Sequence, residues 1–258
     1  MISDPTTKPV KTAILLLNMG GPESAEEVHP YLKELFQDRE LLKLPVQKIL
    51  GNFIAWRRTP FIQQRYEELG QYSPTRKIME DQGEQIAALL DETSPETAPH
   101  ACVPGFRYAV PRTGEELKRF QKAERIILFS HYPQHSCSTS GSSLCDAYRW
   151  LKNNPELKDK ISVIDRWWDR QDYTDLWAKL IEKKFREFSS TYNLKDEEVL
   201  VLYSAHSLPE AYCLEKGDRY NQEIQGSVGN IERKLKELGL HHNHALGWQS
   251  KVGPKRTK

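Results

Sequence analysis

Six short apolar runs, each cut off at a polar or glycine-bearing loop and the first five followed by a stretch of helical periodicity, restrict the fold more than any other feature of this chain. They are TAILLL (12–17), CVPGFRYAV, RIILF (125–129), ISVI (161–164), VLVLY (199–203) and ALGW (245–248). Short apolar runs with little alternation suit strands covered on both faces, as in parallel sheets. Between them, helical spacing recurs at Val28, Tyr31, Leu32, Leu35 and Phe36, and again at Ile224, Val228, Ile231, Leu235 and Leu238. The repeated order of strand, strand-end loop and helix predicts a doubly wound α/β architecture. TAILLLNMGGPES and EVLVLYSAHSLPE share one design, so two related halves facing one cleft are expected. The charged connection NNPELKDK is the expected passage between a first domain, 1–154, and a second, 155–258.

With 258 residues, 38% apolar and 28% charged, the chain can bury one large core or two smaller ones. Its net charge of +1 lacks the basic excess suited to a polyanion, which argues against a nucleic-acid partner. No run approaches the roughly 18 apolar residues of a membrane span, so a soluble or peripheral protein is expected. Cys102, Cys137, Cys145 and Cys213 are scattered without a C-x-x-C pair, against a structural zinc site or a dense disulfide framework and in favour of a reducing compartment. The opening MISDPTTKPV has the character of neither a transit peptide nor a secretion signal.

Strand ends carry the candidate chemistry. In open α/β sheets ligands lie outside the carboxyl ends of the strands, which singles out His206 at the close of the run 199–203 over the other histidines, against the alternative of an imidazole capping a turn. Gly20 and Gly21 in NMGGPES let the backbone approach a ligand, but the loop has neither G-x-G-x-x-G nor a P-loop lysine. Val46, Ile49, Leu50 and Phe53, with Trp56 and Phe61 beside Arg57 and Arg58, read as core packing, a membrane-surface face, or the lip of a pocket for an acidic amphiphile. The hydroxyl-rich segment SHYPQHSCSTSGSS reads as a surface loop at a crevice, and HHNH (241–244) as a solvated turn rather than a metal site.

Taken together, LLLNMGGPES, FIAWRRTPFIQQRYEELG, SPTRK, PGFRY, YPQHSCSTSGSSL, IDRW, YSAHSLPE and WQSKVGP resemble the ferrochelatase family, enzymes that put ferrous iron into protoporphyrin at the end of haem synthesis. The resemblance runs from about residue 11 to residue 254. It implies two Rossmann-like, chelatase-type domains around a porphyrin cleft, with residues 49–61 as an apolar lip. It further implies a peripheral protein on the matrix side of the inner mitochondrial membrane, protoporphyrin IX and Fe²⁺ as substrates, and is compatible with a homodimer. His206 falls on the motif histidine that accepts pyrrole protons or hands over iron. Arg58, Tyr66 and Ser73 fall on porphyrin positions, and Met19, Arg107, Tyr108, Tyr132, Ser136, Gln249, Ser250 and Lys251 on the pocket wall.

The chain also departs from the family pattern. The family continues past WQSKVGP with a further strand, an acidic helix carrying a glutamate opposite the histidine, and a tail bearing three cluster cysteines. Here the sequence ends in GPKRTK, so an incomplete second domain is expected. Cys137 matches the remaining ligand of a [2Fe–2S] cluster, which one thiolate cannot hold. Arg170 and Gln171 stand where animal relatives often have a histidine pair. The expected function is ferrochelatase, with a truncated, catalytically impaired porphyrin- or haem-binding relative as the alternative.

Overall fold

The computed structural model describes residues 9–210 and 215–250. Lys251 and Cys213 lie outside the described residues. The chain divides into two compact units, Met1–Tyr132 with Cys137–Asp165, and Pro133–Ser136 with Arg166–Lys258. The passage expected at 154/155 thus differs from the observed division after Asp165. The reason is β4 (Ile161–Ile164), which hydrogen-bonds to β3 (Arg125–Ser130) and so stays with the first unit.

In the first unit β1 (Thr12–Asn18) is the central strand because its run ILLL leaves nothing polar to face water. It pairs in parallel with β2 (His100–Phe106) on one side and β3 on the other, giving the sheet order β2-β1-β3-β4. Helices cover both faces. On one, Ala13, Leu15 and Leu17 pack with Leu117 of α4 (Thr113–Arg119) and with Leu144 and Ala147 of α5 (Ser142–Lys152). On the other, Ile14 and Leu16 pack with Met79 of α3 (Thr75–Thr93). The α/β, doubly wound expectation therefore holds in this unit.

The excursion between β1 and β2 also contains α1 (Ala25–Gln37) and α2 (Gln47–Leu69). Small residues let the two helices close up: Gly51 and Ala55 are the buried positions of α2, and a Cβ on Gly51 would come 2.8 Å from the Phe36 carbonyl oxygen. The outer side of α2 is apolar, with Ile49 68% and Trp56 64% exposed. Of the readings open for this segment, core packing is set aside for Val46, Ile49, Leu50, Phe53, Trp56 and Phe61, which are all exposed.

In the second unit β5 (Leu200–His206) pairs in parallel with β6 (Asn243–Gln249), from Leu200 opposite Asn243 to His206 opposite Gln249. The helices α6 (Gln171–Tyr192) and α7 (Tyr220–Glu237) contribute Ala178, Phe185, Ile231 and Leu235 to a core with Val199 and Leu240, against which Val201 and Tyr203 pack. The fully covered strand expected over 199–203 is corrected here. Leu200 and Leu202 are 58% and 63% exposed, because α6 and α7 cover only the face that carries Val201 and Tyr203.

Two further expectations are corrected. HHNH is not a solvated turn throughout: the His242 side chain is 2% exposed and shares the Glu232 carboxylate with His244. The hydroxyl-rich segment after β3 is not a surface loop, since Ser130, Ser136, Ser138, Ser140, Ser142 and Ser143 are all buried. Hydroxyls can be buried when they bond to one another or to backbone, as Ser130 and Ser140 do at 2.7 Å.

Candidate functional site

In the first unit the chain leaves β1 toward β2 on one side and returns through β3 on the other. Such a reversal of strand order opens a crevice at the strands' carboxyl ends. The residues at that point are Met19, directly after β1, and Tyr132, just after β3. They are joined there: the Met19 N–H donates to the Tyr132 hydroxyl at 2.9 Å. Burial pushes the Tyr132 phenol up to about 12, so at neutral pH it is a hydroxyl and not a phenolate.

The loop that follows is held at every backbone polar group from the carbonyl of Asn18 to that of Gly20. The Asn18 carbonyl accepts from the Arg107 N–H at 2.9 Å, and the Met19 carbonyl from the Tyr108 N–H at 3.1 Å. The Gly20 N–H donates to Asn18 Oδ1 at 3.0 Å, and the Tyr31 hydroxyl donates to the Gly20 carbonyl at 3.2 Å. Gly20 has φ of +77°, and a Cβ there would meet the Ala109 Cβ at 2.6 Å. Gly21 abuts Ser73, whose N–H bonds the Pro22 carbonyl at 3.0 Å and whose Oγ bonds Thr75 Oγ1 at 2.9 Å. Burial raises Tyr31 above the usual phenol range, with Tyr132 and then Tyr66 adding to it through their own phenol groups. Tyr66 is also raised by burial, and its ring stacks on Tyr72 at 5.1 Å. Met19, Tyr66, Ser73 and Tyr132 are therefore brought around one glycine loop, although they come from four separate stretches of sequence.

Arg107 and Tyr108 sit differently. Their backbone N–H groups hold the loop, but their side chains turn into a buried network around Asp38. Arg107 Nη2 lies 3.0 Å from Asp38 Oδ2, and the Tyr108 hydroxyl donates to that oxygen at 2.7 Å. Ser142 Oγ donates to it as well, and Asp146 meets the other side of the guanidinium at 3.5 Å. Burial alone would raise the Asp38 carboxyl, but hydrogen bonds from Ser142, Tyr108 and the Glu40 N–H, with the Arg107 charge, hold it below the usual carboxylate range. Asp38 escaped the sequence reading because a lone acid after an apolar helix looks like a solvated end. Arg58 stands on the exposed side of α2, its guanidinium 5.8 Å from the Phe36 ring. There it lines a concavity of about 570 Å³ with Phe53, Ile54, Arg57 and Phe61.

In the second unit His206 ends β5 exposed, as its place at a strand terminus suggests. It borders a cavity of about 390 Å³ lined with Tyr173, Trp177, Tyr203 and Tyr220. Gln249 is its register partner, the Ser207 N–H donates to the Gln249 carbonyl at 2.8 Å, and Ser250 follows with φ of +60°. Ser136 is buried, and its hydroxyl donates to Asp218 at 3.1 Å. Glu223, buried on α7, accepts from the His135 N–H at 2.7 Å and pairs with Arg166. Neither acid was singled out in the sequence. A signal was present, since Glu223 falls on the buried stripe of α7 one position before Ile224.

Cys137 opens a short helical turn, Cys137–Gly141. Among the described residues no group of three or more His, Cys, Asp or Glu side chains could hold a metal ion. The described residues therefore do not build a [2Fe–2S] site.

Parallel α/β units with helices against their sheets, and with polar and aromatic side chains at the strand ends, define the class as α/β proteins of the Rossmann-like kind. The sequence matches the ferrochelatase family over residues 11–256, and the chain belongs to that family. It is 44% identical over 255 residues to the mitochondrial ferrochelatase of Xenopus laevis, covering 98% of this chain and 60% of the relative. With that of Drosophila melanogaster it shares 44% over 247 residues, 95% of this chain and 62% of the relative. With that of Homo sapiens the figures are 43% over 255 residues, 97% and 58%. The chain thus spans about three-fifths of the length of the curated relatives it matches.

Proposed function

We propose that this protein inserts ferrous iron into protoporphyrin IX to form protohaem, as the names of its relatives as ferrochelatases suggest. The observation that carries the reading within the chain is His206, presented exposed at the end of β5 with Gln249 as its neighbour on β6. Metallation must take two protons from pyrrole nitrogens while iron approaches their lone pairs. A side chain that titrates near neutral pH suits the first task, and imidazole is the one whose ordinary pKa does so. In this reading His206 acts as proton acceptor, or passes the iron on, and Met19, Tyr66, Ser73 and Tyr132 contact the porphyrin. Arg58 takes a propionate. Fe²⁺ is a substrate here, not a resident cofactor.

The relatives are mitochondrial by name, and the same compartment is proposed for this chain, at the matrix face of the inner membrane. Among the described residues no helix is long and apolar enough to cross a membrane. The exposed side of α2, with Ile49, Phe53, Trp56 and Phe61 beside Arg57 and Arg58, supports a surface that rests on lipid and admits a greasy macrocycle. A homodimer belongs to the same reading.

The test uses the purified protein with protoporphyrin IX and either Fe²⁺ or Zn²⁺, following the loss of free-porphyrin fluorescence. Insertion that falls at least 100-fold in His206→Ala, on the scale of a lost general base, supports the assignment, provided porphyrin binding persists. Turnover that survives the substitution removes His206 from the mechanism. Porphyrin binding without any insertion points to the non-catalytic relative.

A further inference from the structure

The Asn18, Met19 and Gly20 backbone groups described above are all paired, which leaves side chains of that segment, Met19 among them, to meet a ligand. The Asn18 and Met19 bonds come from the neighbouring strand-end backbone and from Tyr132. The Gly20 carbonyl depends on a single side chain, the Tyr31 hydroxyl at 3.2 Å. A carbonyl next to a positive-φ glycine is free to swing when it loses its donor, since glycine has no Cβ to restrict the rotation. The Tyr31 ring is held from α1 by an edge-on contact with Tyr108, centroids 6.0 Å apart.

Building on the proposed porphyrin site, we infer that Tyr31 is a positioning residue for it: its hydroxyl fixes the Gly20 carbonyl and through it the angle at which Met19 meets the macrocycle. Tyr31 itself touches neither the porphyrin nor the metal. The sequence hides this role, because Tyr31 falls on the apolar stripe of α1 and reads as core. Its ring does serve the α1–α2 core beside Val28 and Leu32, so the inferred role belongs to the hydroxyl alone.

Tyr31→Phe keeps the ring and removes only the hydroxyl. Two measurements on the full chain test the inference. Amide hydrogen exchange without porphyrin should show faster exchange at residues 19–21 in Tyr31→Phe and unchanged exchange in β2 and β3. Protoporphyrin IX titration should give a Kd raised about three- to tenfold, the scale of one lost hydrogen bond. In a Met19→Ala background the same substitution should change Kd less than about twofold, because the two residues act as one unit.

A purely structural tyrosine would lower affinity equally in both backgrounds, and that additivity overturns the inference. So does unchanged exchange at residues 19–21. If the wild-type chain binds no protoporphyrin, the proposed function fails, and the exchange experiment alone decides whether Tyr31 fixes the loop.

Discussion

Arg107 and Asp38 form a buried ion pair, Nη2 to Oδ2 at 3.0 Å, that ties the end of α1 to the strand end beside the glycine loop. The Asp38 side chain is 2% exposed, and Tyr108 and Ser142 donate to the same carboxylate. Removing one partner of such a pair leaves an uncompensated buried charge and typically costs about 3–5 kcal/mol. Asp38→Ala should lower the unfolding free energy by that amount, measured by urea denaturation at pH 7. A loss under about 1 kcal/mol would show that water reaches Arg107 and that the network is not closed.

The same carboxylate sets a pH dependence. Its folded pKa lies below the usual range, so its contribution is fully present above the unfolded value near about 3.9 and is lost as pH falls through the lower folded value. The stability gap between wild type and Asp38→Asn should be constant from pH 5 to 8. It should narrow only at pH values under about 4. A gap that instead closes between pH 6 and 7 would point to a histidine and not to Asp38.

Gly20→Ala combines left-handed strain of about 1–2 kcal/mol with a contact of 2.6 Å to the Ala109 Cβ. Gly217→Ala makes a control, since it shares a positive φ of +64° but nothing lies within 4 Å of the added methyl. Gly20→Ala should therefore be the more destabilising in thermal melts and should weaken porphyrin binding, while Gly217→Ala should not alter binding. Equal effects in both assays would mean that Ala109 yields freely.

The sequence disclosed β1 because an uninterrupted apolar run needs cover on both faces, and it placed His206 at the end of β5 because polar residues end the apolar run before it. Pairing across the sheet was less legible: Met19 and Tyr132 are 113 positions apart, and only the strand order β2-β1-β3 brings them together. The buried serines were misread because hydroxyls were counted as needing water, when Ser130 and Ser140 satisfy each other. His242 was misread for a similar reason, since its partner Glu232 lies on α7, on a face whose spacing records only the apolar stripe.

Cys102 lies buried on β2 against α3, and burial pushes its thiol up to about 12. Thiolate, not thiol, reacts with alkylating agents, so the native protein protects this residue twice, by access and by protonation. Iodoacetamide at pH 8, read out for each cysteine by mass spectrometry, should label Cys102 only as the first unit opens, at a rate that rises with urea. Half-buried Cys137 and Cys145 should label sooner. Labelling of Cys102 in the native state at the rate of a free thiol would mean that β2 and α3 part without global unfolding.

Glu232 serves three partners at once in the second unit. The Tyr203 hydroxyl donates to it at 2.6 Å, and the imidazoles of His242 and His244 lie 3.3 and 3.1 Å away. This carboxylate joins α7 to both strands, and burial, followed by the bond to Glu232, raises the Tyr203 phenol above its ordinary range. The partners are not equivalent in what their loss exposes. Tyr203→Phe removes a donor but leaves Glu232 with two imidazoles, and should cost about 1 kcal/mol. Glu232→Ala strands the buried His242 imidazole, at a desolvation cost of about 1–3 kcal/mol, and the part-buried Tyr203 hydroxyl together, so it should cost more than Tyr203→Phe. Urea denaturation followed by tryptophan fluorescence measures both, since Trp167, Trp168 and Trp177 belong to this unit. If the two variants prove equally stable, Glu232 is held by solvent rather than by these side chains.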